Sequence, residues 1–266
     1  MKEVKILGIE KKERSKKFKL ITTEEDYLIS EDMIIKHYLF KDKTFTEKDF
    51  KKIIEDILED EYFNKVINLL SISLKSEYEI IKYIHTNEAK NKTYLKDNQI
   101  QNIINKLKQL NYIDDNKLSI SLIDYYIRNN KGPLYIKQKL KEKKIDETII
   151  NANLKVYTSD IEEEIIVKII KKENNKNLPI KKFKLNLSNK LLRNGFSSNL
   201  VYKLIDKLVI EDNSKELIEK DYLKALNKVA KKEKSESEKK QLIINYLLSK
   251  GYEYQLIKEF LNNCSN

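Results

Sequence analysis

The side chains of this 266-residue chain whose type and spacing could do chemistry are cationic, and the chemistry they suit is anion recognition. The formal net charge of +11 is unevenly spread. Residues 125–144 hold seven bases and one acid, and residues 168–193 hold nine and one. Residues 22–32 instead carry five acids and no base, and residues 47–61 carry seven acids and three Lys. The candidate partner- or DNA-binding residues are Arg128, Lys131, Lys137, Lys141, Lys144, Lys190 and Arg193. Arginine occurs only at 14, 128 and 193, and its planar fork suits bidentate anion contacts. Lys137, Lys141 and Lys144 recur at helical spacing and predict one stripe facing phosphates or acidic side chains. An ordinary solvated helix face in a Lys-rich chain fits that spacing equally well, and the Lys and Asn bias also fits an AT-rich coding sequence.

Catalysis and cofactors find no support in the pattern. Asp114-Asp115 could be taken for a nuclease carboxylate pair, but the pair reads better as an N-terminal cap and dipole partner for a helix starting at Asn116. His37 and His85 have no Ser, Cys or Asp that sequence can set beside them. With Cys264 the sole cysteine, neither an internal disulfide nor a familiar zinc pattern can be written. The expectation is no enzyme, no metal and no cofactor. Sixteen tyrosines could stack on bases, yet Tyr62, Tyr83, Tyr202 and Tyr252 fall at apolar periodic positions and are expected in the core. No segment has the length of a signal peptide's apolar core or of a membrane span, so a cytoplasmic protein is expected.

The elements that must position these residues are mostly helices, because four glycines and two prolines are too few for a turn-rich β fold. Segments 4–9, 18–22 and 26–30 are short, rich in β-branched and aromatic residues and divided by charged turns, and they predict a three-stranded sheet. A helical pattern follows from Glu31 through Leu39. Thr46 with Asp49 opens a further helix, and a separate one is expected from Tyr62 to Leu74. Ser76 with Glu79, Ser159 with Glu162 and Ser235 with Glu238 read as capping pairs. Further helices are expected at 116–130, 134–143, 146–157 and 214–232, with ENNKNLP (173–179) as a loop.

An apolar grid repeats along these helices. Around Ile145 lie Leu140 five residues before and Ile149, Ile150 and Leu154 four, five and nine after. Phe196 repeats the set with Leu191, Leu200, Val201 and Ile205, and Tyr252 with Leu247, Leu256, Ile257 and Leu261. Ile136, Leu187 and Ile243 hold the position nine before each anchor, and Leu95 with Ile100, Ile103 and Ile104 is a degenerate first copy. Such a grid marks stacked supersecondary units. The predicted fold is mainly α, with tandem three-helix repeats in an extended curved array behind a small N-terminal β-containing domain. The predicted boundaries are 1–60, then repeats at 61–115, 116–157, 158–212 and 213–266.

Ile113-Asp114-Asp115, followed by Arg128, Lys131, Gly132, Pro133, Ile136, Leu140, Lys143 and Ile145, resembles the motif of the RecX family of recombination regulators. Ser76-Glu77-Tyr78-Glu79-Ile80 is similar to the family's R-S-x-x-E-L, with Lys75 in place of Arg. Departures are Lys144 for the usual Gly, Leu118-Ser119 for Phe-Ala, and a shortened interval from Arg128 to Lys131. The N-terminal strands and the fourth repeat look like the long, Firmicutes-type form. The resemblance implies a cytoplasmic protein that binds RecA and its filament on single-stranded DNA, and a monomer is expected. It also implies restraint of recombinase activity in DNA repair, recombination and the SOS response, and direct DNA contact in some members. The acidic N-terminal segment is then expected away from DNA. The alternative is a helix-turn-helix-like DNA binder or nucleoid-associated protein independent of RecA.

Overall fold

The structure is a computed structural model that describes residues 3–13, 15–173, 178–209, 213–230 and 235–264. Arg14, the centre of the expected loop at 174–177, and the expected end of the 214–232 helix lie outside these residues. The chain is mainly α with a small antiparallel N-terminal sheet. It divides into two compact units, residues 1–120 with 141–149 and residues 121–140 with 150–266.

The first unit begins with β1 (Glu3–Lys11), β2 (Phe18–Thr22), β3 (Tyr27–Ile29) and, after helix α1 (Glu31–Lys36), β4 (Thr44–Thr46). The sheet order is β3-β2-β1-β4, so the expected three-stranded sheet has four strands. β4 escapes the pattern because it is three residues long behind the charged turn Lys41-Asp42-Lys43. It pairs with the start of β1, Val4 facing Phe45. Ser30 caps α1 by accepting the Met33 N–H, and the helix stops short of Leu39, with Tyr38 in the left-handed region at φ 50°. Leu39 is buried all the same, beside Val4, Ile6, Leu20, Ile29, Met33, Phe50, Ile53 and Ile57. Fully burying side chains of this size contributes about 1.5–3 kcal/mol each.

Helix α2 (Glu47–Leu70) runs unbroken through residues 60–62, where a break between two helices was expected. Nothing at Asp60-Glu61 stops it, since neither Gly nor Pro is present and Ile57, Tyr62 and Val66 keep one face buried. It ends at Leu70, and Leu74, expected on the apolar face, is exposed. Helix α3 (Glu77–Asn91) opens with the full capping box of Ser76 and Glu79, and α4 (Asp97–Gln109) follows. Tyr62, Val66, Ile80, Ile84, Leu95, Ile100, Ile103, Ile104, Leu107 and Ile113 form the second core of this unit, which accounts for the degenerate first copy of the grid.

Helices α5 (Asp115–Arg128) and α6 (Pro133–Glu142) contribute residues to both units. Then come α7 (Glu147–Asn153), α8 (Ser159–Lys172), α9 (Ile180–Arg193), α10 (Ser198–Asp206), α11 (Ser214–Val229), α12 (Glu236–Lys250) and α13 (Tyr254–Asn263). The three anchors Ile145, Phe196 and Tyr252 are buried, as are the grid residues five before and five after each. Ser235 and Glu238 make the expected capping box on α12. At α8 the expected Ser159–Glu162 cap is replaced: Thr158 accepts the Ile161 N–H, and Glu162, buried, accepts the Ser197 N–H at 2.6 Å. Tyr62 and Tyr252 are core residues and Tyr83 is half-buried, whereas Tyr202 is exposed.

Candidate partner-binding surface

The residues that carried the sequence motif meet at two joints, one in each unit. In the first unit, Ser76 caps α3, and its hydroxyl donates to the Lys143 carbonyl at 2.8 Å. Glu79 accepts the Ser76 N–H at 2.9 Å through one carboxylate oxygen and the Lys143 ammonium at 2.6 Å through the other. Burial works against the charge on Glu79, but the bonds from Lys143 and the Ser76 N–H outweigh it and hold its carboxyl below the usual range. Asp114 accepts the Asn116 and Lys117 N–H groups and so caps α5, as expected. Asp115, half-buried, accepts the Glu77 N–H at 3.2 Å. Burial raises its pKa more than that bond lowers it. Lys108 pairs with Glu77 at 2.6 Å.

In the second unit, Gly132 donates its N–H to the Asn194 carbonyl at 2.8 Å, and Leu134 donates to the Gly195 carbonyl at 3.0 Å. The backbones touch so closely that a Cβ on Gly132 would lie 2.2 Å from the Gly195 oxygen. Lys131 is turned into this joint: its ammonium donates to Asn194 Oδ1 at 2.8 Å and sits 4.9 Å from the Tyr135 ring centre. The Tyr157 hydroxyl donates to the Lys131 carbonyl at 3.0 Å. Burial, with Glu162 nearby, pushes that phenol above its ordinary value.

The other six candidate cations are placed as follows. Arg128 grips Asp124 with two nitrogens, at 3.2 and 2.7 Å, while its side chain stays 77% exposed. Lys137 donates to Asn151 at 3.0 Å, and Lys141 pairs with Glu147 at 3.0 Å. Lys144 does not continue their stripe. α6 ends at Glu142, and Lys144 occupies a left-handed turn position at φ 57°, where a glycine would be at ease. Lys190 pairs with Glu173, and exposed Arg193 donates to the Asn189 carbonyl at 3.3 Å. Most of these charges are therefore anchored by a neighbour, with their outer surfaces in water. Pairings such as Lys131 with Asn194, 63 positions apart, leave no trace in local spacing.

Both histidines lie against a carboxylate. His85 Nδ1 lies 2.7 Å from Glu88, a buried carboxylate that also accepts the Leu95 N–H. His37 Nε2 lies 3.1 Å from Asp56, and burial lowers its pKa. No group of three or more His, Cys, Asp or Glu among the described residues could hold a metal ion. Spacing also missed an aromatic cluster: the Tyr125, Tyr126 and Tyr135 rings touch edge to face, and the Tyr125-Tyr126 pair was its only sequence signal.

No protein-family model matches the chain. Over 265 residues it is 35% identical to the regulatory protein RecX of Streptococcus agalactiae serotype V, covering 97% of this chain and 98% of that one. It is 29% identical over 264 residues to the regulatory protein RecX of Streptococcus pneumoniae, with the same coverage. A crystal structure of a regulatory protein RecX superposes with a TM-score of 0.58 at 22% identity, over 77% of this chain and all of that one, a likeness of fold.

Proposed function

Because the chain belongs to the RecX family of regulatory proteins, we propose that it binds RecA and its filament on single-stranded DNA and restrains recombinase activity. The observation that carries this reading is the end-to-end relation to a regulatory protein RecX, covering 97% of one chain and 98% of the other. The charge distribution agrees with it. The basic segments 125–144 and 168–193 fall in the repeats proposed at 116–157 and 158–212. A filament whose groove exposes acidic side chains or phosphates would attract them. Arg128, Lys141, Lys144, Lys190 and Arg193 are the proposed contacts, whereas Lys131 and Lys137 act in this reading mainly as internal ties. The acidic segment 22–32 lies away from DNA in the bound state. Action on RecA places the protein in the cytoplasm, and no helix among the described residues is long and apolar enough to cross a membrane.

The DNA-reader alternative gains nothing from the helices that would enter a groove. The first turns of α7, α10 and α13 read Glu147-Thr148-Ile149, Ser198-Asn199-Leu200 and Tyr254-Gln255-Leu256, with no Arg or Lys and no more than one Asn or Gln each, short of the several base-reading side chains that a recognition helix needs. Adding the protein to RecA on single-stranded DNA should lower both ATP hydrolysis and strand exchange. Retention on naked DNA alone, with RecA's ATPase unchanged, would overturn the proposal.

A further inference from the structure

The tyrosine cluster of the second unit has features that core packing does not explain. Tyr125 and Tyr126 are neighbours on α5 with ring centres 5.2 Å apart and planes at 68°. Tyr126 meets Tyr135 of α6 at 5.5 Å and 75°. Lys131 and Lys139 hold ammonium groups 4.9 and 5.6 Å from the centre of the Tyr135 ring. Tyr125 is 58% exposed and is steadied edge-on by Tyr126, so much of its ring meets water. Three residues along, the Arg128 guanidinium is fixed by Asp124 and exposed, with donors to spare after the two given to that carboxylate.

A flat apolar face beside fixed cations matches a ligand that has both unstacked rings and a regular anionic backbone. An acidic peptide would use the cations but not the ring, and a duplex hides its base faces. Residues 125–140, which lie in the same unit as the cluster, hold Arg128, Lys131, Lys137 and Lys139 and no acid, and supply the charge complementarity. We propose that this face binds single-stranded DNA, with one base stacked on Tyr125 and the adjoining phosphate on Arg128. The choice of DNA over RNA rests on the filament reading above; the stacking site itself does not need RecA.

The test is fluorescence anisotropy of a labelled oligothymidylate of ~20 nucleotides, titrated with the full chain in the absence of RecA. Tyr125→Ala should weaken binding roughly tenfold or more, Tyr125→Leu should do the same, and Tyr125→Phe should bind like the parent. Arg128→Gln should weaken binding less and reduce the salt slope by about 1. If the alanine variant loses its helical circular dichroism, the leucine and phenylalanine variants decide, since both keep apolar bulk and only one keeps a ring. Two results would overturn the site: Tyr125→Leu within about twofold of the parent, or a duplex bound as tightly as the single strand; RNA of the same length bound more tightly than DNA would overturn the assignment of DNA as its ligand. RecA's ATPase is followed with the same variants. Lost oligonucleotide binding with retained RecA inhibition supports the site and leaves the RecA reading standing. Unchanged binding with lost inhibition removes the stacking site alone.

Discussion

The two joints solve one packing problem by different chemistry. In each, the start of a helix, α3 or α6, is set against the turn that precedes a buried anchor, Ile145 or Phe196. The α6 joint is backbone against backbone: Gly132 and Gly195 lack a Cβ, Gly195 adopts φ 82°, and two N–H groups reach the turn's carbonyls directly. At the α3 joint the corresponding turn residue is Lys144, and the contact is made by side chains, the Ser76 hydroxyl and the Glu79–Lys143 pair. A third case lies at Gly251, whose added Cβ would come within 2.6 Å of the Lys182 Cβ. The glycine missing from the sequence motif at 144 is thus matched by a joint that depends on hydrogen-bonding side chains. The motif as a whole is first an assembly code for neighbouring helices, and its Lys131 and Lys143 spend their charge inside the protein.

The comparison breaks most sharply at Gly132. Gly132→Ala brings a methyl group to within 2.4 Å of three backbone atoms of Gly195 and Phe196, which cannot swing aside as a side chain could. The joint must part and lose both backbone hydrogen bonds, so about 3 kcal/mol of stability should go. Urea unfolding measures the loss, and hydrogen exchange at the Leu134 amide tests its location, because that amide is bonded to Gly195. An unchanged exchange rate would refute the close contact. Ser76→Ala is the matching cut in the other joint. It removes the α3 cap and the hydroxyl that satisfies the Lys143 carbonyl, at a fully buried position. The expected cost is about 2 kcal/mol, with faster exchange confined to the first turn of α3.

How much of this was legible in the sequence depended on range. The apolar grid was readable because each unit repeats its own 3.6-residue period around an anchor, and its anchors and principal partners are buried. α2 was misread as two helices although the sequence around Asp60 holds neither Gly nor Pro, and the buried face continues from Ile57 to Tyr62 and Val66 without a break. β4 was missed because three residues carry no period, and only pairing with β1 makes them a strand. The expected Lys137–Lys141–Lys144 stripe failed at its last member, since α6 ended without the glycine that usually announces such an ending. At the candidate surface, the excess of positive charge could be counted, but the partners of Lys131, Lys143 and Lys190 depend on tertiary folding.

The smallest expected effect sharpens the comparison rather than breaking it. Lys144 sits at φ 57°, a conformation that strains a residue with a Cβ and leaves glycine unstrained. Lys144→Gly relieves that strain but gives the unfolded chain more freedom, so the two effects oppose each other. The strain is the larger of the two, and a net gain of about 0.5 kcal/mol is expected in the urea midpoint. The α3 joint has its own hydrogen bonds through Ser76, Glu79 and Lys143, none of which involves the Lys144 side chain. The gain should therefore persist in the Ser76→Ala background. If the gain instead vanished there, the turn and the side-chain bonds would be one coupled device, and the α3 joint would differ from the glycine joint in more than its chemistry.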